Sequence, residues 1–395
     1  MGIFSETKMD VLTTAQELAA QFAVDAKERD RQAGTPKKQK DLIRQSGLLK
    51  LLIPKEYGGS GESWYTVLQI VREFAKVDGS LAHLFGYHTL FIADVLMYGT
   101  KEQQKRFLTD TAENNYFWGN SCNPLDHRLF GKVEDGKIIL NGPKSFSTGS
   151  TDSQYLLIAW EQKGDSPSLV RFGVIPSNRE GVEIIDDWNG MGQRQTGSGT
   201  VEFHNVEVFE DEILSGDYVT GAPFTTLEAT FAQSVHLNVF TGIAEGALLE
   251  AKQYTLTKSK PWYTSGYEKA IDDPYIQSKY GYYVIRLKSA QALADQAAKI
   301  ASDAFDKNLE LTIEERGEAA VIVAAANVLT GEVAVEIANG IFELMGARSA
   351  AYQNNFDRYW RNVRTQTLHN PAEYKKRTVG NWFLDNQYPI PGGYA

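Results

Sequence analysis

Three stretches late in the chain constrain its fold most: residues 226–258, 274–308 and 313–344, each Ala-rich with charged residues interspersed. Segments of that length and texture form long helices. A long helix with an apolar stripe must bury it against its neighbours, so a bundle is expected. The hundred residues before them read differently. Residues 132–140 form a hairpin pattern that turns at Asp135-Gly136. Residues 155–160, 169–175 and 201–210 carry strand-like apolar runs, and Pro176 closes the second of these.

Ahead of residue 116 the period is helical again. Val11, Leu12, Ala15, Leu18, Ala19, Phe22 and Ala23 share one helical face. Pro36 opens a charged helix that Gly47 ends. Helices are expected over 63–77 and 81–97, and Thr100 with Gln103 three residues on has the pattern of an N-cap. The order helices, strands, helices predicts an α+β protein. Its expected parts are a helical domain at 1–115, a central β domain at 116–222 and a helical bundle at 223–395.

Composition removes several function classes. A chain of 395 residues, 42% hydrophobic and 23% charged, can bury a sizeable core. A net charge of -10 argues against electrostatic binding of nucleic acid. Cys122 is the only cysteine, which leaves no intrachain disulfide and suits a reducing compartment. Residues 1–8 lack the basic start and apolar run of a secretory leader. No apolar run is expected to span a membrane, so the expectation is a cytoplasmic protein.

Motifs in register narrow the reading. Leu81-Ala82-His83-Leu84-Phe85-Gly86-Tyr87-His88, then Trp188-Asn189-Gly190-Met191-Gly192-Gln193-Arg194, then Trp360-Arg361-Asn362-Val363-Arg364 carry the pattern. Across nearly its full length the chain resembles the acyl-CoA dehydrogenase superfamily. These motifs resemble its dibenzothiophene monooxygenases and related sulfur-acquisition enzymes. The resemblance implies an N-terminal helical domain, a central β-barrel or sandwich and a C-terminal four-helix bundle. It further implies reduced FMN delivered by a separate NAD(P)H-dependent flavin reductase, molecular oxygen, an organic sulfur substrate and a homotetramer. One segment argues against the superfamily's commonest reaction. His369-Asn370-Pro371 stands where many members carry Tyr-Glu-Gly, and an amide cannot take a substrate α-proton at neutral pH.

His83 and Tyr87, four apart on an otherwise apolar helix, share a face, while His88 is turned by about 100° from Tyr87. A pair of polar tips satisfied in a core would look the same. A metal site is not indicated, because no HExxH or further ligand cluster accompanies them. By resemblance, His83 and Tyr87 line the flavin and substrate cavity, and Asn120 helps hold the flavin or its oxygen adduct. Thr148, in Phe146-Ser147-Thr148-Gly149, matches a hydroxyl beside flavin N5, and Trp188 packs near the ring or substrate. Glycines 190, 192, 197 and 199 let the backbone approach a ring system closely. Lys260 matches an arginine that grips the FMN phosphate across a subunit interface, although here it is a point charge without the bidentate fork. Arg348 matches a second phosphate or ring contact. His369 matches a histidine implicated in oxygenation, an imidazole able to hold or deliver a proton at neutral pH. Gln366 stands where close relatives often carry another histidine.

The resemblance thus implies that His83, Tyr87, Asn120, Thr148 and His369 shelter an oxygen adduct of the flavin, with His83 or His369 keeping it protonated. Two alternatives stand beside this reading. One is an FAD-dependent acyl-CoA dehydrogenase with its base on the first helix after the β domain, where residues 229–236 hold no carboxylate and Glu228 only borders the stretch. The other is a catalytically silent flavin-binding homologue.

Overall fold

The computed structural model describes residues 11–164, 169–216 and 221–392; the reading of residues 1–8 lies outside them. The first helical layer comprises α1 (Val11–Gln32), α2 (Lys37–Ser46), α3 (Trp64–Ala75), α4 (Gly79–Tyr98) and α5 (Lys101–Asn114). Their ends follow local chemistry. Gly47 closes α2 with φ 79°, and the Ser63 hydroxyl accepts from Thr66 N at the start of α3. Thr100 and Gln103 form the reciprocal capping box that the sequence predicts. Helix α4 starts two residues earlier than its apolar run, because the Asp78 carboxylate accepts from the amides of Ser80 and Leu81. Arg29 pairs with Asp78 and so fixes that cap against α1.

Seven strands follow: β1 (Trp118–Ser121), β2 (Phe130–Glu134), β3 (Lys137–Lys144), β4 (Tyr155–Gln162), β5 (Leu169–Pro176), β6 (Val182–Ile185) and β7 (Thr200–Val208). They form one mixed sheet in the order β1-β4-β2-β3-β7-β6, with β5 on the other edge of β4. The hairpin between β2 and β3 turns at Asp135 and Gly136, both at positive φ, as a tight two-residue turn requires. Strand β4 shows why its apolar run is continuous. Leu156, Ile158 and Trp160 enter the core of the sheet, whereas Tyr155 and Leu157 face the opposite way, into the helical core.

The second helical layer holds α6 (Glu228–Thr257), α7 (Pro274–Lys307), α8 (Ile313–Met345), α9 (Asp357–Thr367) and α10 (Ala372–Asp385). Helix α6 packs on α3, α4, α7 and α8, while α9 and α10 lie against α8. From Ala229 to Ala244 every residue of α6 is buried. Polar side chains there must therefore find partners. Ser234 accepts from Trp64 Nε1 at 2.9 Å and Asn238 Oδ1 accepts from Arg72, so two of them tie α6 to α3. Gln233 and His236 turn elsewhere.

One sequence expectation is corrected. Helices α4 and α8 are both long and apolar enough to cross a membrane by length and composition. In α4 the apolar window is 94% buried inside the fold, the signature of a core helix closed in by protein on all sides.

Candidate functional site

The site lies where α4, α6, α9 and the loops of the sheet meet. His83 and Tyr87, one turn apart on α4, bring their rings edge to face at 4.4 Å between centroids. His83 is buried, and neither ring nitrogen has a hydrogen-bond partner among the described residues. Burial, with His369 nearby, pushes its pKa down to about 3, so the ring is neutral at physiological pH. His88, the next residue after Tyr87, is an ordinary core histidine. Its Nε2 donates to Leu49 O at 2.8 Å and its Nδ1 accepts from Trp118 N at 3.2 Å.

Opposite Tyr87 stands a residue that sequence reasoning passed over. His236 Nε2 lies 2.9 Å from Tyr87 Oη, and its ring sits 4.4 Å from that of His369 and 5.5 Å from that of His83. Gln193 Nε2 donates to Gln366 Oε1 at 2.7 Å, and Gln366 Nε2 then donates to His236 Nδ1 at 2.7 Å. Nδ1 is thereby an acceptor, and the ring carries its proton on Nε2, aimed at Tyr87. Burial and the charges of His369, His83 and Lys375 hold the His236 pKa well below the ordinary value. The available signal was a histidine and a glutamine three apart, Gln233 and His236, inside a helix buried all round.

His369 opens onto a cavity and is hemmed in enough that burial lowers its pKa. Its Nδ1 donates to Asn370 Oδ1 at 2.5 Å, and Asn370 Oδ1 also accepts from Gln233 Nε2 at 3.3 Å. Asn370, standing where a carboxylate base is common, thus orients an imidazole. The pKa values of His83, His236 and His369 are all lowered, and among the described residues no carboxylate acts on His83 or His236. The buried acids on the same helices, Asp94 and Glu228, lie by each other and both have raised pKa values, with Glu228 at about 7. Glu228 is eight residues before His236 on α6, roughly 12 Å along the axis.

Asn120, on β1, and Thr148, in the loop after β3, meet. Asn120 N donates to Thr148 O at 3.1 Å, and Asn120 Oδ1 accepts from Cys122 N. The Thr148 hydroxyl lies 2.8 Å from Ser198 Oγ, which donates to Thr196 Oγ1, which in turn donates to Gln193 O. Gly149, at φ 74°, packs so closely beside Leu84 that a Cβ there would lie 3.4 Å from its side chain. The loop therefore rests on α4 one residue from His83. In the glycine-rich turn a Cβ on Gly192 would come within 2.0 Å of Arg361 O, so its bareness admits the backbone of α9. Trp188 is half-buried; it donates to Gln193 O at 2.8 Å and packs on the exposed Phe146 at 5.9 Å, on the outer side of this joint.

Lys260 and Arg348 are not brought to this cluster. Both are exposed, on neighbouring loops joined where Ser259 Oγ donates to Met345 O at 2.9 Å. His236 and the last residue of α6 are separated by roughly 30 Å of helix. The cavity itself, of about 600 Å³, lies between α6, α8 and α10, with Thr230, Gln233, Val323, His369, Asn370 and Lys375 in its wall. Among the described residues no group of histidine, cysteine and acid side chains could hold a metal ion.

Similar proteins fit this arrangement. The chain matches the acyl-CoA dehydrogenase N-terminal domain over residues 5–115, the middle domain over 126–206 and the C-terminal domain over 234–374. It is 42% identical to a probable FMNH2-dependent monooxygenase, SfnC, of Pseudomonas putida, over 97% of each chain. The structure of methanesulfinate monooxygenase MsuC from Pseudomonas fluorescens superposes with a TM-score of 0.95 at 42% identity, covering 98% of this chain and 100% of that one. FMN-bound TdsC, a dibenzothiophene monooxygenase from Paenibacillus sp. A11-2, superposes with a TM-score of 0.93 at 40% identity, covering 97% and 99%. The chain belongs to the acyl-CoA dehydrogenase family.

Proposed function

We propose that this chain is an FMNH2-dependent monooxygenase that oxygenates an organic sulfur compound, at a site built by His83, Tyr87, Asn120, Thr148, His236 and His369. The observation that carries the reading is His83. Two buried ring nitrogens without partners among the described residues, beside the neutral ring of His236, fit a polar guest far better than a proton-abstracting base. The same orphaned atoms, with the Thr148–Ser198 hydroxyl pair beside α4, fit a flavin ring. Reduced FMN supplies the two electrons with which dioxygen is activated. A flavin reductase acting with NAD(P)H would deliver it.

The chain's own part is to shape and dry the site. Tyr87 Oη accepts from His236 Nε2, which holds the phenol in place against the histidine rings. His369 holds its Nδ1 against Asn370 Oδ1, which fixes the ring beside His236 as an imidazole able to hold or return a proton. Thr148 and Asn120 present a hydroxyl and an amide from the sheet side. Phosphate binding falls to Lys260 and Arg348, which a single chain places too far from its own histidines. They would therefore serve the site of another subunit in a homotetramer. Exposed Tyr275, Tyr282 and Ile285 on α7 offer apolar area for such assembly.

A panel of sulfides, sulfoxides, sulfones and sulfinates, incubated with FMNH2 from a generic reductase and oxygen, tests the reading by product mass. Addition of oxygen to a sulfur compound is expected. Bleaching of bound flavin by an acyl-CoA, with no oxygenated product, would instead place the chemistry on Glu228.

A further inference from the structure

The cavity wall is chemically lopsided. Helix α8 contributes Ala320, Val323 and Ala324, and α6 contributes Ala229 beside Thr230 and Gln233. Helix α10 contributes Lys375, only 7% exposed, with no hydrogen-bond or ion-pair partner among the described residues. Its neighbour Lys376 is solvated and still paired, with Glu332 at 2.9 Å and Glu373 at 3.0 Å. Burying an ammonium without a counter-charge disfavours the folded state, so such a lysine points to a ligand that brings the charge. Its pKa is lowered to about 8 by burial alone, and no carboxylate acts on it. Its charge reaches both His236 and His369, so the ammonium stands within range of the reacting centre. Arg377, stacked on Tyr374 at the cavity's edge, adds a second positive charge toward solvent.

Resting on the monooxygenase reading above, we infer that Lys375 selects an anionic organosulfur substrate, a small alkyl or aryl sulfinate, by donating to its charged oxygens and leaving the sulfur lone pair toward His236 and His369. Sulfides, thiophenes and sulfones carry no formal charge to satisfy the ammonium. A sulfonate carries charge but no sulfur lone pair, which makes it the product. The step balances as RSO2⁻ + O2 + FMNH2 → RSO3⁻ + FMN + H2O. The sulfur lone pair forms the new S–O bond, the O–O bond breaks, the second oxygen leaves as water, and the flavin is oxidised by two electrons. The apolar wall of α8 takes the organic group.

Equilibrium binding to the flavin-free full-length protein tests this without turnover, using methanesulfinate, benzenesulfinate, dimethyl sulfone and dibenzothiophene. Both sulfinates are expected to bind more tightly than either neutral compound. Their affinity should fall up to about tenfold from pH 7 to pH 9 as Lys375 deprotonates. The titratable groups facing Lys375 are His369, His236 on α6, and Tyr374 and Arg377 on α10; the lining residues of α8 do not titrate. Lys375→Met should cost tenfold or more in sulfinate affinity, Lys375→Arg should retain most of it, and neither should change dimethyl sulfone binding. Thermal denaturation of Lys375→Met is expected to show a cooperative transition like that of the wild type, which checks that the variant is folded. Tighter binding of the neutral compounds by the wild-type protein overturns the inference. So does a Lys375→Met protein that keeps its sulfinate affinity, or one that loses FMN instead of sulfinate, which would assign the ammonium to the flavin phosphate. If sulfinate binds as expected but the sulfur panel yields no oxygenated product, the monooxygenase reading fails while the anion site stands.

Discussion

His236 is the residue on which the site's proton chemistry turns, and its state is set two residues away. Gln193 orients Gln366, Gln366 occupies Nδ1 of His236, and the proton is left on Nε2 facing Tyr87. A glutamate at 366 would reverse this: a carboxylate accepts from Nδ1–H and favours the imidazolium. Gln366→Glu is expected to raise the His236 pKa by roughly 1–3 units and to move the neutral proton to Nδ1, as read by 15N NMR of histidine-labelled, flavin-free protein. In the wild type the depressed pKa means that the ring stays neutral as pH falls through the ordinary histidine range near 6.5. The unfolded chain takes up that proton first, so this histidine's contribution to stability is present above pH 6.5 and is lost as pH falls below it. Thr148 invites a second test. Its hydroxyl ends a chain through Ser198 and Thr196 to Gln193 O. Thr148→Val should increase hydrogen peroxide released per product by about twofold or more, since a buried hydroxyl partner is worth about 1 kcal/mol; unchanged coupling would place this hydroxyl outside the reacting centre. His83, Tyr87, Thr148 and His369 were legible in the sequence because they sit in motifs with a fixed register. His236 and Lys375 were not, because each lies on a helix whose neighbours are known only once the chain is folded.

Elements were more legible than sites. The long helices α6, α7 and α8 and the hairpin at Asp135-Gly136 follow from period and turn chemistry, which act locally. The segment around Trp360 was read only as a motif. It forms α9, which delivers Gln366 and Asn362 to the glycine-rich turn, where Asn362 Oδ1 accepts from Gln193 N at 2.7 Å. The joint between sheet and helix at Gly192 is a contact between residues far apart in sequence, so periodicity could not show it. Gly192→Ala forces a Cβ to within 2.0 Å of Arg361 O. The substitution should cost roughly 1–3 kcal/mol of stability, measured as a lowered urea midpoint. It should also disturb His236 through Gln193, so its 15N signals should change along with the midpoint. A lowered midpoint with unaltered His236 signals would show that the joint supports the fold alone.

At the scale of the molecule, the two ends of α6 pose one problem. The histidine cluster sits near its start, and Lys260 follows its end, beside the loop of Arg348. One flavin cannot span roughly 30 Å of helix with its ring in the cluster and its phosphate on these cations. Two chains packed with opposed α6 ends can join one chain's ring site to another's phosphate site, and closed point-group symmetry repeats the arrangement in every subunit. Such a site can be complemented. A chain carrying His83→Ala keeps Lys260 and Arg348, and a chain carrying Lys260→Ala together with Arg348→Ala keeps its histidines. Each alone should oxidise little substrate. After unfolding and refolding together in equal amounts, random association pairs intact halves in about a quarter of the sites, so about a quarter of wild-type activity should return. The triple variant mixed with itself provides the control and should recover none. Failure of the two chains to complement, with each alone defective in FMN binding, would place both halves of the site within one subunit and require another cation to hold the phosphate.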